Sequence, residues 1–234
     1  MAAAVSPIRS VVFDLFGTLV YELPRSEWDA WLDTAAAVLE ADRDSFHGAW
    51  AATAVQRQTG QLGGIEENLR TVAARAGAWP SDSQVTEALE ARTAMYRNWF
   101  VPRPGAEEVL ARLRRDGHRL ALVSMCAPDT PGIWRASPLA GTVDVEVFSS
   151  EVALRKPDAA IYLRACEGLG VEPTDCLYVG DGSYRELSGA AAVGMRPVLI
   201  SDPDVSTEML NPDPDDWGGE TIASLLEIPA LLAS

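Results

Sequence analysis

The run Val11-Val12-Phe13-Asp14-Leu15-Phe16-Gly17-Thr18-Leu19-Val20 constrains the fold of this chain more than any other stretch. Up to Asp14 it is short, apolar and β-branched, the pattern of a strand buried on both faces, and such strands belong to parallel sheets. Asp14 then stands at the strand's carboxyl end, the edge at which open α/β sheets bind ligands. Gly17 lets the chain turn away without placing a side chain in that space. On this stretch alone Asp14 reads equally as a candidate nucleophile or metal ligand, or as the polar residue that closes a strand.

More strands of the same kind follow. His118 to Val123, Val143 to Ser150, Cys176 to Val179 and Met195 to Ser201 are short apolar runs. They alternate with helical patterns over Glu107–Asp116, from Pro157 through Cys166, and up to Ala192. The alternation predicts an α/β fold, a Rossmann-like core around a parallel sheet. Between the first strand and this alternation the period changes. Trp28, Trp31, Leu32, Val38 and Leu39, then Phe46 and Trp50, then Ile65, Leu69 and Val72, then Val85, Leu89 and Tyr96 recur at helical spacing. Glycine-rich or proline-containing breaks at 58–64 and 77–82 divide them, which predicts four helices, the last from about Ser83 to Trp99. Pro102 and Pro104 mark the return. The expected organisation is a core of residues 1–20 and 103–234 with an all-helical cap domain, 21–102, inserted over the strand end.

The glycines at 60–64 lack the lysine and the preceding strand of a phosphate-binding P-loop, so the segment reads as a helix–helix connection or as a substrate-facing loop. The tryptophans of the insert read as bundle core. Residues 201–219, acidic and proline-rich, read as loop, and 220–232 as a short terminal element.

Charge narrows the partners. With 34 acidic against 19 basic residues the net charge is −15, which argues against nucleic acid or an anionic membrane surface. No apolar run approaches a membrane span, and the first ten residues lack a leader pattern, so a cytoplasmic soluble protein is the expectation. Cys126, Cys166 and Cys176 are widely spaced, without partner histidines, and read as core thiols in a reducing compartment. Basic charge rests almost wholly on arginine, and Lys156 is the one lysine in the chain. It supplies a compact point charge where arginine gives a planar fork.

Four further residues join Asp14 as candidates for the same sheet edge. Ser124 ends the second predicted strand, where it is either a donor to an anionic oxygen or a turn serine. Lys156 stands just before the helix opened by Pro157 and Asp158, within reach of both a substrate anion and Asp14, or else is a solvated surface group. Asp181 and Glu186 straddle a glycine turn after the Cys176–Val179 strand. Hard carboxylate oxygens at a strand end suit Mg²⁺, with Asp181 the stronger ligand and Glu186 binding directly or through water.

Asp14 followed by Gly17-Thr18, then Ser124, then Lys156-Pro157, then Gly180-Asp181, in this order and with a helical insert after the first, resembles the haloacid dehalogenase superfamily of hydrolases over nearly the whole chain. The resemblance implies that Asp14 attacks the substrate and forms a covalent aspartyl intermediate. It implies Mg²⁺ held by Asp14, Asp181 and the backbone carbonyl of Phe16, with Glu186 nearby. Ser124 and Lys156 would bind the non-reacting phosphoryl oxygens, and Thr18 would complete that shell. Two departures stand out. The family's phosphatases usually carry a second aspartate, the general acid and base, where this chain has Phe16, and general acid–base help is typically worth about 10²- to 10⁴-fold. Met125 stands where many relatives carry asparagine. The leading expectation is an Mg²⁺-dependent phosphohydrolase of a small anionic phosphorylated metabolite. The alternatives are a metal-independent 2-haloacid dehalogenase, whose relatives also lack that acid, and a phosphate-binding member with weak turnover. The insert's Arg25, Arg43 and Arg57 could hold an anionic substrate tail or could be solvated helix faces.

Overall fold

The computed structural model describes residues 8–201 and 213–232. Part of the loop expected over 201–219 therefore lies outside the described residues, as does most of the amino-terminal decapeptide. Six strands form one sheet: β1 (Ser10–Phe13), β2 (Arg119–Ser124), β3 (Val145–Phe148), β4 (Cys176–Gly180), β5 (Arg196–Ile200) and β6 (Thr221–Ile222). Their order is β3-β2-β1-β4-β5-β6 and every pairing is parallel. Val11 pairs with Leu120 on one side and Leu177 on the other, and Phe13 with Leu122 and Val179. Side chains alternate between faces, so Val11, Phe13, Leu120, Leu122, Leu177 and Val179 enter one apolar cluster. Val12, Ala121, Val123 and Tyr178 enter another on the opposite face. Both faces are covered, which is why these strands read as continuous apolar runs.

Helices α1 (Arg25–Val38), α2 (Arg43–Ala52), α3 (Ala54–Gln58), α4 (Ile65–Arg75) and α5 (Asp82–Trp99) follow β1. This is five helices rather than four, because the chain re-forms a short helix after Thr53 before the glycines stop it. Ser81 and Gln84 form a reciprocal capping box that starts α5, and the Asp42 side chain accepts from the Ser45 N–H to start α2. Trp31, Leu32, Phe46, Trp50, Leu69, Val72 and Val85 bury themselves in a separate apolar cluster of this insert. The strands leading in and out of it pair side by side: the Tyr21 N–H donates to Val101 O at 3.1 Å and the Arg103 N–H to Leu19 O at 2.9 Å.

The remaining helices are α6 (Ala106–Arg115), α7 (Thr130–Arg135), α8 (Ser149–Val152), α9 (Ala159–Leu169), α10 (Glu186–Ala192) and α11 (Ile228–Leu232). Some boundaries differ from the expectation. The strand predicted over Val143–Ser150 spans Val145–Phe148 and turns into α8, and α9 begins two residues after Pro157. The glycine segment does connect α3 to α4, and Gly60 lies directly on the core: a Cβ there would sit 3.3 Å from Ser150 C and closer still to its oxygen. The three cysteines are free and buried. Among the described residues no helix is long and apolar enough to cross a membrane.

Candidate active site

The strand order reverses direction at β1, since the chain runs outward to β2 and β3 and then returns to place β4 on the other side. The crevice at such a switch point, beyond the strands' carboxyl ends, is the natural ligand site of an open α/β sheet. Asp14 follows β1, Ser124 closes β2, and Gly180 closes β4 with Asp181 next. Lys156 comes from the segment between α8 and α9. The residues singled out in the sequence are thus carried to one edge by topology.

Lys156, Glu186 and Asp14 are all buried. The Lys156 ammonium contacts Asp14 Oδ1 and donates to Glu186 Oε2 at 2.5 Å. Tyr178 O–H donates to the same Glu186 oxygen at 2.7 Å, and the Gly182 N–H to Oε1 at 3.0 Å. Glu186 therefore does something the sequence did not indicate: both its oxygens are engaged by protein donors, and it fixes the ammonium against Asp14. Met125 Sδ accepts the Lys156 backbone N–H at 3.3 Å, so the residue in place of the usual asparagine supports the lysine's backbone. Asp181 Oδ1 accepts from the Ser183 N–H at 2.9 Å.

Electrostatically the site holds too much negative charge. Burial pushes the Asp14 carboxyl up to about 7, with the Glu186 charge adding to it and Lys156 opposing. Burial, followed by the charges of Glu186, Asp14 and Glu22, drives Asp181 well above the carboxylate range. Burial works against the Lys156 ammonium, but Asp14 and Glu186 outweigh it and hold it protonated. Among the described residues Lys156 is the one cation in contact with this carboxylate cluster. Asp14, Asp181 and Glu186 each offer an oxygen within 4.8 Å of the others. This hard-oxygen set with unbalanced charge fits a divalent cation such as Mg²⁺. The turn around Phe16 and Gly17 lies against it: Gly17 has φ +74°, and a Cβ there would sit 2.9 Å from Asp181 Cγ. The buried guanidinium of Arg103 donates to the Gly17 carbonyl and holds the turn.

Two hydroxyls complete the edge. Thr18 Oγ1 and Ser124 Oγ are buried and make no hydrogen bond to a described residue. Buried hydroxyls are seldom left so.

Above the edge is a cavity of about 610 Å³, walled by the core's Asp14, Met125, Arg155 and Tyr184 and by the insert's Trp28, Trp50, Val55 and Arg57, among others. Trp50 is therefore both bundle core and cavity wall. Phe16 is half-buried, its ring 6.3 Å from Tyr96 and edge-on to Phe100 at 5.9 Å, so it joins the apolar clusters of core and insert. Among the cavity-lining residues the carboxyls are Asp14 and Glu22. Burial first, and then the Asp14 charge, raises Glu22 to about 8. Nothing in the sequence marked Glu22, an acid in the linker eight residues past Asp14. The insert is also tied to the core over the cavity. Buried Arg92 donates to Asp129 at 2.6 and 3.1 Å, and Gln58 donates to the Tyr184 hydroxyl at 2.9 Å.

A doubly wound sheet with carboxylates and a lysine at its carboxyl edge, roofed by a helical insert, defines a hydrolase of the capped α/β class. The family model of haloacid dehalogenase-like hydrolases matches residues 8–194, and the chain belongs to that family. It is 32% identical over 211 residues to a phosphoglycolate phosphatase of Rhodospirillum rubrum, covering 82% of this chain and 79% of that one. A haloacid dehalogenase-type phosphatase from Thermococcus onnurineus superposes with a TM-score of 0.66 at 22% identity, over 96% of this chain and 97% of that one. The L-2-haloacid dehalogenase of Xanthobacter autotrophicus, with chloropropionic acid covalently bound, superposes with 0.63 at 19%, over 97% and 99%. At these identities the two structures speak to the fold.

Proposed function

We propose that this hydrolase is an Mg²⁺-dependent phosphohydrolase of a small anionic metabolite, with residues 21–102 acting as the cap domain over a core of 1–20 and 103–234. What supports it is the carboxylate cluster that the Lys156 ammonium contacts, together with two unpartnered buried hydroxyls, Ser124 closing β2 and Thr18 in the turn after β1. Asp14 attacks phosphorus, the P–O ester bond breaks, and the alcohol leaves. Water then cleaves the aspartyl phosphate, restoring the Asp14 carboxylate and releasing inorganic phosphate. Lys156, Ser124 and Thr18 donate to the non-reacting phosphoryl oxygens. Asp14, Asp181 and the Phe16 carbonyl would hold Mg²⁺, with Glu186 beside them, and the bound ion supplies charge neutralisation for phosphoryl transfer. Phe16 has no proton to give the leaving alcohol. Glu22, a carboxyl in the same cavity that burial keeps protonated near neutral pH, is our candidate for that task.

Phe16 also supports a second reading, displacement of halide from a 2-haloacid, which needs no acid at the leaving group. The excess of carboxylates favours the first. The deciding experiment is hydrolysis of p-nitrophenyl phosphate, whose leaving group needs no protonation, with Mg²⁺ and with chelator, using Asp14→Asn as the blank. Turnover that vanishes in chelator and in the variant is expected. No turnover with Mg²⁺, together with halide release from 2-chloropropionate, would replace phosphoryl transfer with dehalogenation.

A further inference from the structure

Of the three insert arginines that the sequence offered for a substrate tail, the structure separates one. Arg25 also lines the cavity but is exposed and bound to Asp29, and Arg43 is exposed and bound to Asp33 and Asp44. Arg57, on α3, is only 5% exposed and lines the cavity. Its guanidinium lies 3.6 Å from the Trp50 ring centroid, Nη2 donates to Trp50 O at 2.8 Å and Nε to Thr53 Oγ1 at 3.2 Å. These bonds aim the group, but no acid among the described residues pairs with it, and Nη1 makes no hydrogen bond to them. The neighbouring buried guanidinium, Arg92, has Asp129 as its counter-charge. Burial, with Arg92 close by, lowers Arg57 to about 9, which marks the cost of leaving the cation uncompensated. A stack on tryptophan offsets only part of that cost.

Arg155 faces the same cavity from the core side. It is half-buried, its Nε is buried without a hydrogen-bond partner, and no described acid pairs with it. Both arginines are close enough to Tyr184 for their charges to act on its hydroxyl. Two cations without counter-ions, one from each side of a cavity whose floor holds Asp14, are donors placed for a ligand. Apolar residues of the same cavity wall, Trp28, Leu32, Trp50 and Val55, suit a short carbon chain.

We propose that Arg57 and Arg155 form a subsite for a second anionic group, a carboxylate or a phosphate, so that the molecule processed carries negative charge at both ends. The proposal rests on the phosphohydrolase reading for the first end only. It places neutral-tailed substrates such as sugar-alcohol monophosphates outside the preferred class.

The test is calorimetric titration of the full chain, with Mg²⁺, using three non-hydrolysable probes: propylphosphonate, 3-phosphonopropionate and propane-1,3-diphosphonate. Charge-assisted hydrogen bonds of this kind lead us to expect that one or both double-ended probes bind about 10- to 100-fold tighter than propylphosphonate. Whichever binds tighter names the second group. Arg57→Met and Arg155→Met should each bring the ratio down to within about threefold of unity. Because the ratio is taken within one preparation, a partly folded sample does not imitate that result. A wild-type ratio near one for both probes, or a ratio that survives either substitution, overturns the paired subsite. If p-nitrophenyl phosphate is not hydrolysed while the ratio and its loss in the variants hold, the phosphohydrolase reading fails and the subsite stands.

Discussion

Gly17→Ala tests how the turn after β1 positions the carboxylates. Gly17 has φ +74°, and a residue with a Cβ pays about 1–2 kcal/mol to adopt that left-handed conformation. The new methyl would also sit 2.9 Å from Asp181 Cγ, with Oδ2 closer still. Carbon atoms make ordinary contact at about 3.5–4.0 Å, so the carboxylate must retreat by roughly 1 Å. The turn cannot yield instead, since Arg103 holds the Gly17 carbonyl. A 1 Å misplacement in an active site can cost about 10²-fold in rate. Gly180→Ala is the matched control: its backbone needs no left-handed conformation, but its Cβ would sit 2.6 Å from Glu186 Cδ. It therefore shifts a carboxylate without straining the turn.

Urea denaturation and an Mg²⁺ titration of aryl-phosphate hydrolysis read the two effects separately. Gly17→Ala should lose at least about 1–2 kcal/mol of stability, fall about 10²-fold in kcat and need more Mg²⁺ for half-saturation. Gly180→Ala should lose activity through the Lys156–Glu186 contact, with a smaller change in the Mg²⁺ requirement. A folded Gly17→Ala protein with wild-type kcat and Mg²⁺ half-saturation would refute the claim that this turn sets the place of Asp181.

Other outcomes follow from the same geometry. Arg92→Leu removes the cation from a buried pair that ties α5 to the core and leaves Asp129 uncompensated, so chemical denaturation should show a loss of about 3–5 kcal/mol; a loss under about 1 kcal/mol would mean the pair is effectively solvated. Tyr178→Phe withdraws a buried donor from Glu186 and should cost about 1–3 kcal/mol, with wild-type stability counting against the bond. Glu22 is raised from 4.5 to about 8 in the folded protein, so the folded state holds a proton that the unfolded state has released, and stability falls as pH rises through that window. Glu22→Gln should flatten that slope in thermal melts across pH 5–9. It should also lower turnover of alkyl phosphates more than aryl phosphates, and equal losses on both would remove Glu22 as the leaving-group acid.

How much of this was legible in the sequence depends on which interactions decide each feature. The sheet was readable because a strand buried on both faces leaves a local record: Val11–Phe13 and Cys176–Val179 are apolar at every position, whichever face each side chain meets. Asp14, Ser124 and Asp181 were readable for the same reason, since each directly follows or closes such a run. What Glu186 does was not. Its spacing from Asp181 suggested a metal ligand, and only the placement of Tyr178 beneath α10 and of Lys156 across from it reveals that this carboxylate is also held by three protein donors. The fifth helix of the insert was hidden because Thr53 interrupts α2 and α3 without a glycine or proline to announce it. Phe16 was visible as a departure, but its physical reason is long-range. The ring spans two apolar clusters that meet only when α5 returns Tyr96 and Phe100 to the strand end, some eighty residues later. Glu22 is half-buried on the cavity wall, and its raised pKa comes from burial and from Asp14 rather than from any neighbour in the chain. Phe16 packs against the insert where the family's phosphatases usually carry a carboxylate, and burial raises the pKa of another carboxyl, Glu22, in the same cavity. Such an exchange is invisible to any local pattern, because the group lost and the group gained are linked only through the cavity they share.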